Sequence, residues 1–385
     1  MPVIKVCVVV NSRANYGRVK SVMQAIRRHP LLTLQLVVGG SAVLSRYGLV
    51  ERVMKEDGFT PDAEVHSLLE GENLLSMAKS TGHTIVELTS VFDHLKPDWV
   101  VVVADRFEQL AVAIAASYQN IRIAHIQGGE ITGSIDESVR HAITKLSHLH
   151  LCATERAKSY VIRMGENPLY VINTGCPSID LAKTVIGQKF HGFPAGRGVG
   201  PELDADRDFL MVMQHPVTTE FGSGRAQIEE TLRAIENTGM QTVWLWPNVD
   251  AGADDISKRL RQFHETNPKF PIRFYTNLRP EQYYNFMLHC RVLVGNSSSG
   301  IREGAYLGTP VVNIGTRQQF RERHINVMDV GYSAAKITQA IRQQLQFEDG
   351  WPMSLLYGMG DAGERIAQCL AIELPPIQKG LFYEL

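Results

Sequence analysis

Residues 292–317, VLVGNSSSGIREGAYLGTPVVNIGTR, decide the fold class. An apolar run, Val292-Leu293-Val294, closes on Gly295, and a turn of small polar residues follows, Asn296 to Gly300. Ile301 to Leu307 carries a helical pattern, and a second apolar run from Pro310 to Ile314 ends in Gly315-Thr316-Arg317. Strand, polar loop, helix and strand in this order build a parallel sheet. The loop opens a helix N-terminus, where unpaired backbone N–H groups and the helix dipole favour an anion. Three serine hydroxyls and two glycines let a phosphate approach closely. The stretch therefore predicts a diphosphate seat with the Glu303 carboxylate one turn into the helix. An ordinary helix cap is the plainer alternative.

The same alternation runs outward in both directions. Val3 to Val10 is a continuous apolar strand, as in a parallel sheet buried on both faces. A helix is expected over 18–28, a strand over 34–38, a helix running to about Lys55 and a long amphipathic helix over 72–94. Strands are expected over 99–103, 121–126, 148–153 and 169–174, with helices between them. From 187 to 206 glycine, proline and charge break the pattern, which restarts with strands over 209–213, 242–246 and 272–275. Helices over 334–345 and 361–370 close the chain. The expectation is α/β, with two Rossmann-like, doubly wound domains facing a cleft: residues 1–186, a linker region at 187–206, and residues 207–385. The last helix is a candidate to pack back on the first domain.

A chain of 385 residues suits two domains, and 44% hydrophobic with 21% charged residues is globular composition. A net charge of -1 gives no overall attraction to nucleic acid or anionic membrane, so any anion site must be local. No apolar run approaches a bilayer span, and the start reads as a first strand rather than a signal peptide. The five cysteines are scattered without a CxxC, which predicts neither zinc nor a disulfide framework and fits a cytoplasmic setting. Neither GxGxxG nor GxxxxGK[ST] appears where a dinucleotide or P-loop enzyme would need it.

Ligands of doubly wound sheets bind at the carboxyl ends of the strands. The polar residues there are Arg13, Asp105, Arg106, Gln127, Glu130, His215, Asn248, Ser297 to Ser299 and Arg317. Phe274 and Tyr275 end a strand where a nucleotide base could lie. Tyr283, Tyr284 and Phe286 suit core or inter-domain packing, His141 a structural role, and His125 a cap on the glycine-rich backbone.

Five motifs carry a family resemblance: ADRFE (104–108), HIQGGE (125–130), GSIDESVRH (133–141), QHPVTT (214–219) and GNSS (295–298). In this order they resemble the hydrolysing UDP-N-acetylglucosamine 2-epimerases, which make N-acetylmannosamine for sialic acid synthesis, with relatives in legionaminic acid pathways. The resemblance runs from Arg13 to the chain end. It implies GT-B architecture, a nucleotide-sugar substrate, no cofactor or metal, and a dimer or tetramer. It places Asp105 and Asp136 at the catalytic centre, with Glu130 and Gln127 beside them. His215 falls near the phosphate and leaving group, Arg13 near the diphosphate and Arg106 at the ligand. Ser297, Ser298, Glu303 and Arg317 fall in the nucleotide set. A helix N-cap is a second role for Asp136. The implied reaction eliminates the nucleotide to give a 2-acetamidoglucal and adds water, inverting C2.

Two positions depart from the family pattern. Gln127 stands where many members have Glu, and an amide cannot be a carboxylate base. Ala42 stands where relatives commonly have His, which would enlarge the pocket. Both predict a changed sugar, with a 2,4-diacetamido-2,4,6-trideoxy sugar the leading substitute for N-acetylglucosamine. A non-hydrolysing epimerase, a GT-B glycosyltransferase and a non-catalytic nucleotide-sugar sensor are the rival functions.

Overall fold

The computed structural model describes residues 3–48 and 50–383. Two wholly parallel sheets organise them. The first contains β1 (Ile4–Val10), β2 (Leu32–Gly39), β3 (Ala63–Val65), β4 (Trp99–Val103), β5 (Arg122–Ile126), β6 (Leu149–Cys152) and β7 (Val171–Asn173), in the order 3-2-1-4-5-6-7. The second contains β8 (Phe209–Met213), β9 (Gln241–Leu245), β10 (Ile272–Tyr275), β11 (Val292–Gly295), β12 (Val311–Ile314) and β13 (Val327–Val330), in the order 10-9-8-11-12-13. Both orders reverse direction once, between β1 and β4 and between β8 and β11. That is the doubly wound pattern, and the reversal is where such sheets open a crevice.

The apolar runs follow from burial on both faces. Val6, Val8 and Val10 pack with Tyr16, Val19 and Met23 of the helix Arg13–Arg28, while Cys7 and Val9 pack on the other face with Leu88, Phe92 and Val112. The helix Ala362–Leu370 joins this first core through Ile366, Ala367 and Leu370, so the chain end returns to the first sheet.

Several boundaries differ from the sequence pattern. The first helix begins at Arg13 rather than Arg18, because the Ser12 side chain caps it by accepting from the Asn15 N–H. Leu169 does not start a strand: Pro168–Tyr170 is a 3-10 turn and the strand begins at Val171. The helix Pro177–Thr184 and the short strands β3 and β13 have too few patterned residues to stand out.

The 187–206 segment is bound rather than free. Phe190 and Phe193 pack on Phe209 with ring centroids 5.2 Å apart in each pair. Val199 bridges antiparallel to Phe274, and Arg273 donates to the carbonyls of Arg197 (2.8 Å) and Gly200 (2.9 Å). The segment thus straps the open edge of β10, an edge that would otherwise offer unpaired backbone groups.

Candidate active site

The carboxyl ends of the two sheets face each other across a solvent-open cleft of about 790 Å³. Arg13, Arg18, His215, Asn248, Tyr283, Ser297 to Ser299, Arg302, Glu303 and Arg317 are among its lining residues. Two glycines make the approach possible. A Cβ on Gly295 would lie 2.1 Å from the Met213 carbonyl at the β8–β11 reversal, and one on Gly133 would lie 2.0 Å from the Thr316 carbonyl. Gly133 thereby lets the Asp136 loop dock against the second domain.

On the second domain's wall, Ser297 caps the loop and its hydroxyl lies 2.9 Å from that of Ser299, which also bonds the Tyr283 hydroxyl. Ser298 Oγ accepts from Arg18 at 3.1 Å and from Arg302 at 2.8 Å. The helix expected over 301–307 starts earlier, at Ser298, and breaks at Arg302 (φ −88°, ψ −68°) into Ser298–Ile301 and Glu303–Leu307. Four residues sum few peptide dipoles. The positive character of this seat therefore comes from guanidinium groups rather than from the helix axis. Glu303 is buried on the cleft wall, and one of its carboxylate oxygens has no hydrogen-bond partner among the described residues.

His215 is fixed from three sides. Its N–H donates to Asn296 Oδ1 (2.7 Å), its carbonyl accepts from Asn296 Nδ2 (2.8 Å), and its Nδ1 accepts from the Asn248 N–H (3.2 Å). An accepting Nδ1 puts the ring proton on Nε2. Burial, and then the charges of Arg317, Arg13, Arg106 and Arg18, hold the ring well below the usual histidine pKa. The ring is a neutral N–H donor ringed by cations.

Beside the lining residues Arg13 and Arg18, the first domain carries an acidic cluster that is heavily paired, and Asp105, Arg106 and Asp136 are not themselves among the cleft's lining residues. Burial opposes ionisation of Asp105, yet Arg140, Arg18 and Arg321 hold its carboxylate well below the usual range. Arg140 is wholly buried, bonds Asp105 directly, and also reaches the Glu130 carbonyl (2.6 Å) and Glu137 (2.8 Å). Asp136 is the first residue of the helix Asp136–Leu146, not its cap, which is Ile135. Burial and the nearby Asp105 charge push its pKa up to about 6, against Arg317 at 3.7 Å. Two carboxylates close enough to feel each other's charge are thus driven apart in pKa, the arrangement that separates a base from an acid. Arg106 forks onto Glu108 with two contacts of 3.1 Å and crosses the cleft to Asp250 at 2.7 Å.

Other expected residues sit differently. Arg13 lines the cleft, but its guanidinium caps the Trp246 and Thr276 carbonyls of the second domain. Glu130 lies behind the wall, paired with Arg302 at 3.1 Å and with Arg321. Gln127 is buried there too, its Oε1 3.3 Å from Arg302 and its Nε2 2.8 Å from Cys176 Sγ. Ala42 belongs to the first domain's core rather than to the cleft wall, because the turn after β2 folds inward. Phe274 packs on Trp244 and Trp246, and Tyr275 on Phe286, so neither offers a face to a base. Tyr283 and Tyr284 do line the cleft, and they also pack. His125 is fully buried and bonds the Ala104 carbonyl at 2.8 Å. It steadies the residue (φ +61°) that precedes Asp105 and touches no cleft space. His141 pairs with Glu137 at 2.8 Å.

Sequence reasoning missed Arg18, Arg140, Arg302 and Arg321. None ends a strand. Arg140 had a legible signal, one helical turn after Asp136. Arg302 had another, one turn into the serine-capped helix. Among the described residues no group of three or more His, Cys, Asp or Glu is placed to hold a metal ion, and no helix is long and apolar enough to cross a membrane.

Two doubly wound lobes with this cleft between them define the GT-B architecture. The chain belongs to the UDP-N-acetylglucosamine 2-epimerase family, whose model matches residues 24–371. A UDP-N,N'-diacetylbacillosamine 2-epimerase (hydrolyzing) from Legionella pneumophila is 34% identical over 373 residues, 95% of both chains. A UDP-N-acetylglucosamine 2-epimerase from Neisseria meningitidis is 29% identical, over 88% of this chain and 87% of that one. The crystal structure of UDP-GlcNAc 2-epimerase from Neisseria meningitidis bound to UDP-GlcNAc superposes with a TM-score of 0.76 at 19% identity, covering 95% of this chain and 99% of that one. The resemblance read from the ordered motifs, the fold and the enzyme class are borne out.

Proposed function

We propose that this protein is a hydrolysing nucleotide-sugar 2-epimerase that releases a free 2-epimeric 2-acetamido sugar and a nucleoside diphosphate. The placement of two acids against separate arginines supports it best: Asp105 is bonded by the buried Arg140, and Asp136 faces Arg317 of the other domain at 3.7 Å. The diphosphate lies against Ser297 and Ser298, with Arg18, Arg302, Arg317 and the Nε2–H of His215 as donors. Glu303, with a spare buried oxygen, takes the ribose diol. Asn248 holds His215, and Arg106 braces the sugar end through Asp250. Departure of the diphosphate leaves positive charge at C1, which acidifies the C2–H, so the ionised Asp105 can remove that proton although it is a weak base. The C1–O bond breaks and a 2-acetamidoglucal forms. Asp136, whose raised pKa of about 6 keeps a protonated fraction available, delivers a proton to the opposite face of C2, while water adds its hydroxyl to C1 and gives its remaining proton to the Asp136 carboxylate; Asp105 returns to solvent the proton it took. The cations around the diphosphate stabilise the leaving group electrostatically. Gln127 and Glu130 act behind the wall rather than as bases.

Within this class, UDP-linked 2,4-diacetamido-2,4,6-trideoxyglucose is the favoured substrate, on the 34% identity to the Legionella pneumophila enzyme. UDP-N-acetylglucosamine, giving N-acetylmannosamine, is the second reading, supported by the family model and the Neisseria meningitidis relative. The first product would feed legionaminic acid synthesis, the second sialic acid synthesis. Five unbridged cysteines, four of them buried, fit a cytoplasmic setting. A panel of UDP- and GDP-linked sugars assayed for released free sugar tests the assignment. A kcat/KM higher for UDP-N-acetylglucosamine than for the diacetamido sugar would reverse the order. No release from any of them would reject the function.

A further inference from the structure

The hydroxyl of Ser298 has two acceptor sites and one donor. Arg18 (3.1 Å) and Arg302 (2.8 Å) occupy both acceptor sites. The Ser298 proton is therefore left to donate, and Ser298 lines the cleft. Its polarity is set by the two guanidinium groups, so whatever orients Arg302 orients the donor. Arg302 is almost wholly buried and reaches back into the first domain. One of its nitrogens is shared between Glu130 (3.1 Å) and Gln127 Oε1 (3.3 Å). Glu130 is in turn shared with Arg321, so one carboxylate serves two guanidinium groups. The amide of Gln127 cannot turn round: its Nε2 faces Cys176 Sγ at 2.8 Å, and an amide nitrogen turned towards Arg302 would set donor against donor. Arg302 is thus gripped on one side by a neutral oxygen, and its charge is only partly compensated.

We propose that Gln127 is a positioning residue for nucleotide binding: through Arg302 it fixes the Ser298 hydroxyl as a donor, and its neutrality leaves the Arg302 charge for an anionic diphosphate. The chain runs across the cleft, from the strand end of β5 to the loop after β11. It rests on the nucleotide-sugar reading above and gives the buried amide a role that a base position would not have. A carboxylate at 127 would give Arg302 a second ion-pair contact beside Glu130 and draw the guanidinium away from Ser298.

The test is calorimetric titration of UDP into the full chain and its variants at pH 8, with steady-state kinetics on the preferred nucleotide sugar. Gln127→Glu is nearly isosteric and adds one charge. It should raise the UDP Kd about tenfold, the effect of one lost charge-assisted contact, with the loss falling on Kd and KM more than on kcat. Gln127→Met, which removes the acceptor without adding charge, should raise Kd by about threefold, keeping the test usable if the glutamate variant misfolds. In a Ser298→Ala background Gln127→Met should lose most of its effect on Kd, whereas Gln127→Glu should keep the part that acts through the Arg302 charge. A Gln127→Glu variant that binds UDP as tightly as the parent and turns over faster would overturn the proposal and make 127 a vacated base position. A parent chain that binds neither UDP nor GDP would overturn the nucleotide reading and this proposal with it.

Discussion

The two walls of the cleft are built on opposite principles. The second domain's wall is local: Ser297, Ser298, Ser299 and Glu303 lie within seven consecutive residues, and His215 is fixed by Asn296 beside them. The first domain's wall is borrowed. Asp105 is held ionised by Arg140 from its own domain and by Arg321 from the other, and Asp136 faces Arg317, again from the other domain. A binding loop can be specified by a short stretch. A pair of acids with separated pKa values needs charges gathered from distant segments, and only the assembled cleft supplies them.

The sharpest way to break this contrast is to neutralise the borrowed acids one at a time. Asp105→Asn should lower release of nucleoside diphosphate by at least about a hundredfold, the scale of a lost base. It should also cost about 2 kcal/mol of stability in denaturant melts, because the wholly buried Arg140 keeps Glu137 but loses the charge of Asp105. Asp136→Asn should lower free-sugar formation by a similar or smaller factor while elimination continues, so that 2-acetamidoglucal is released and detectable by mass spectrometry. If the glycal came from Asp105→Asn instead, the two roles would be reversed.

The pH dependence separates the walls further. Asp136 carries the proton it must donate below its value of about 6 and loses it as pH rises through that value. Free-sugar formation under saturating substrate should therefore fall with rising pH along a limb that Asp136→Asn abolishes. Asp105→Asn removes a charge that raises the Asp136 pKa, so the residual limb should move to lower pH. A limb unmoved in both variants would remove Asp136 from proton transfer. On the local wall the effects are smaller and fall on binding. Ser298→Ala should weaken UDP about tenfold by calorimetry, with less change in kcat. Least of all, Phe274→Leu should leave UDP affinity within about twofold while costing about 1 kcal/mol of stability, since its ring packs on Trp244 and Trp246.

The same contrast explains what could be read in advance. The two doubly wound domains were legible because each buried strand is a continuous apolar run, and each run ends in polar residues. The serine loop, His215 and Asp105 follow such runs, whereas Asp136 lies ten residues past β5 and was placed by the family resemblance. Arg140 and Arg302 carried only a positional signal within their helices, and Arg321 carried none, because tertiary packing decides what these side chains reach. Ala42 and Gln127 misled for a related reason. Their identities depart from the family pattern, but side-chain direction is set by the fold: one points into the core, the other sits behind Arg302. Phe274 and Tyr275 end a strand, yet the strap at 187–206 covers that edge and the rings turn inward.

The central claim is elimination followed by hydration with inversion at C2. NMR of the turnover in deuterated water tests it most directly. The account predicts free 2-epimeric sugar carrying one deuterium at C2, released together with nucleoside diphosphate. Recovery of the nucleotide sugar intact with C2 epimerised, or of free sugar with hydrogen retained at C2, would contradict it.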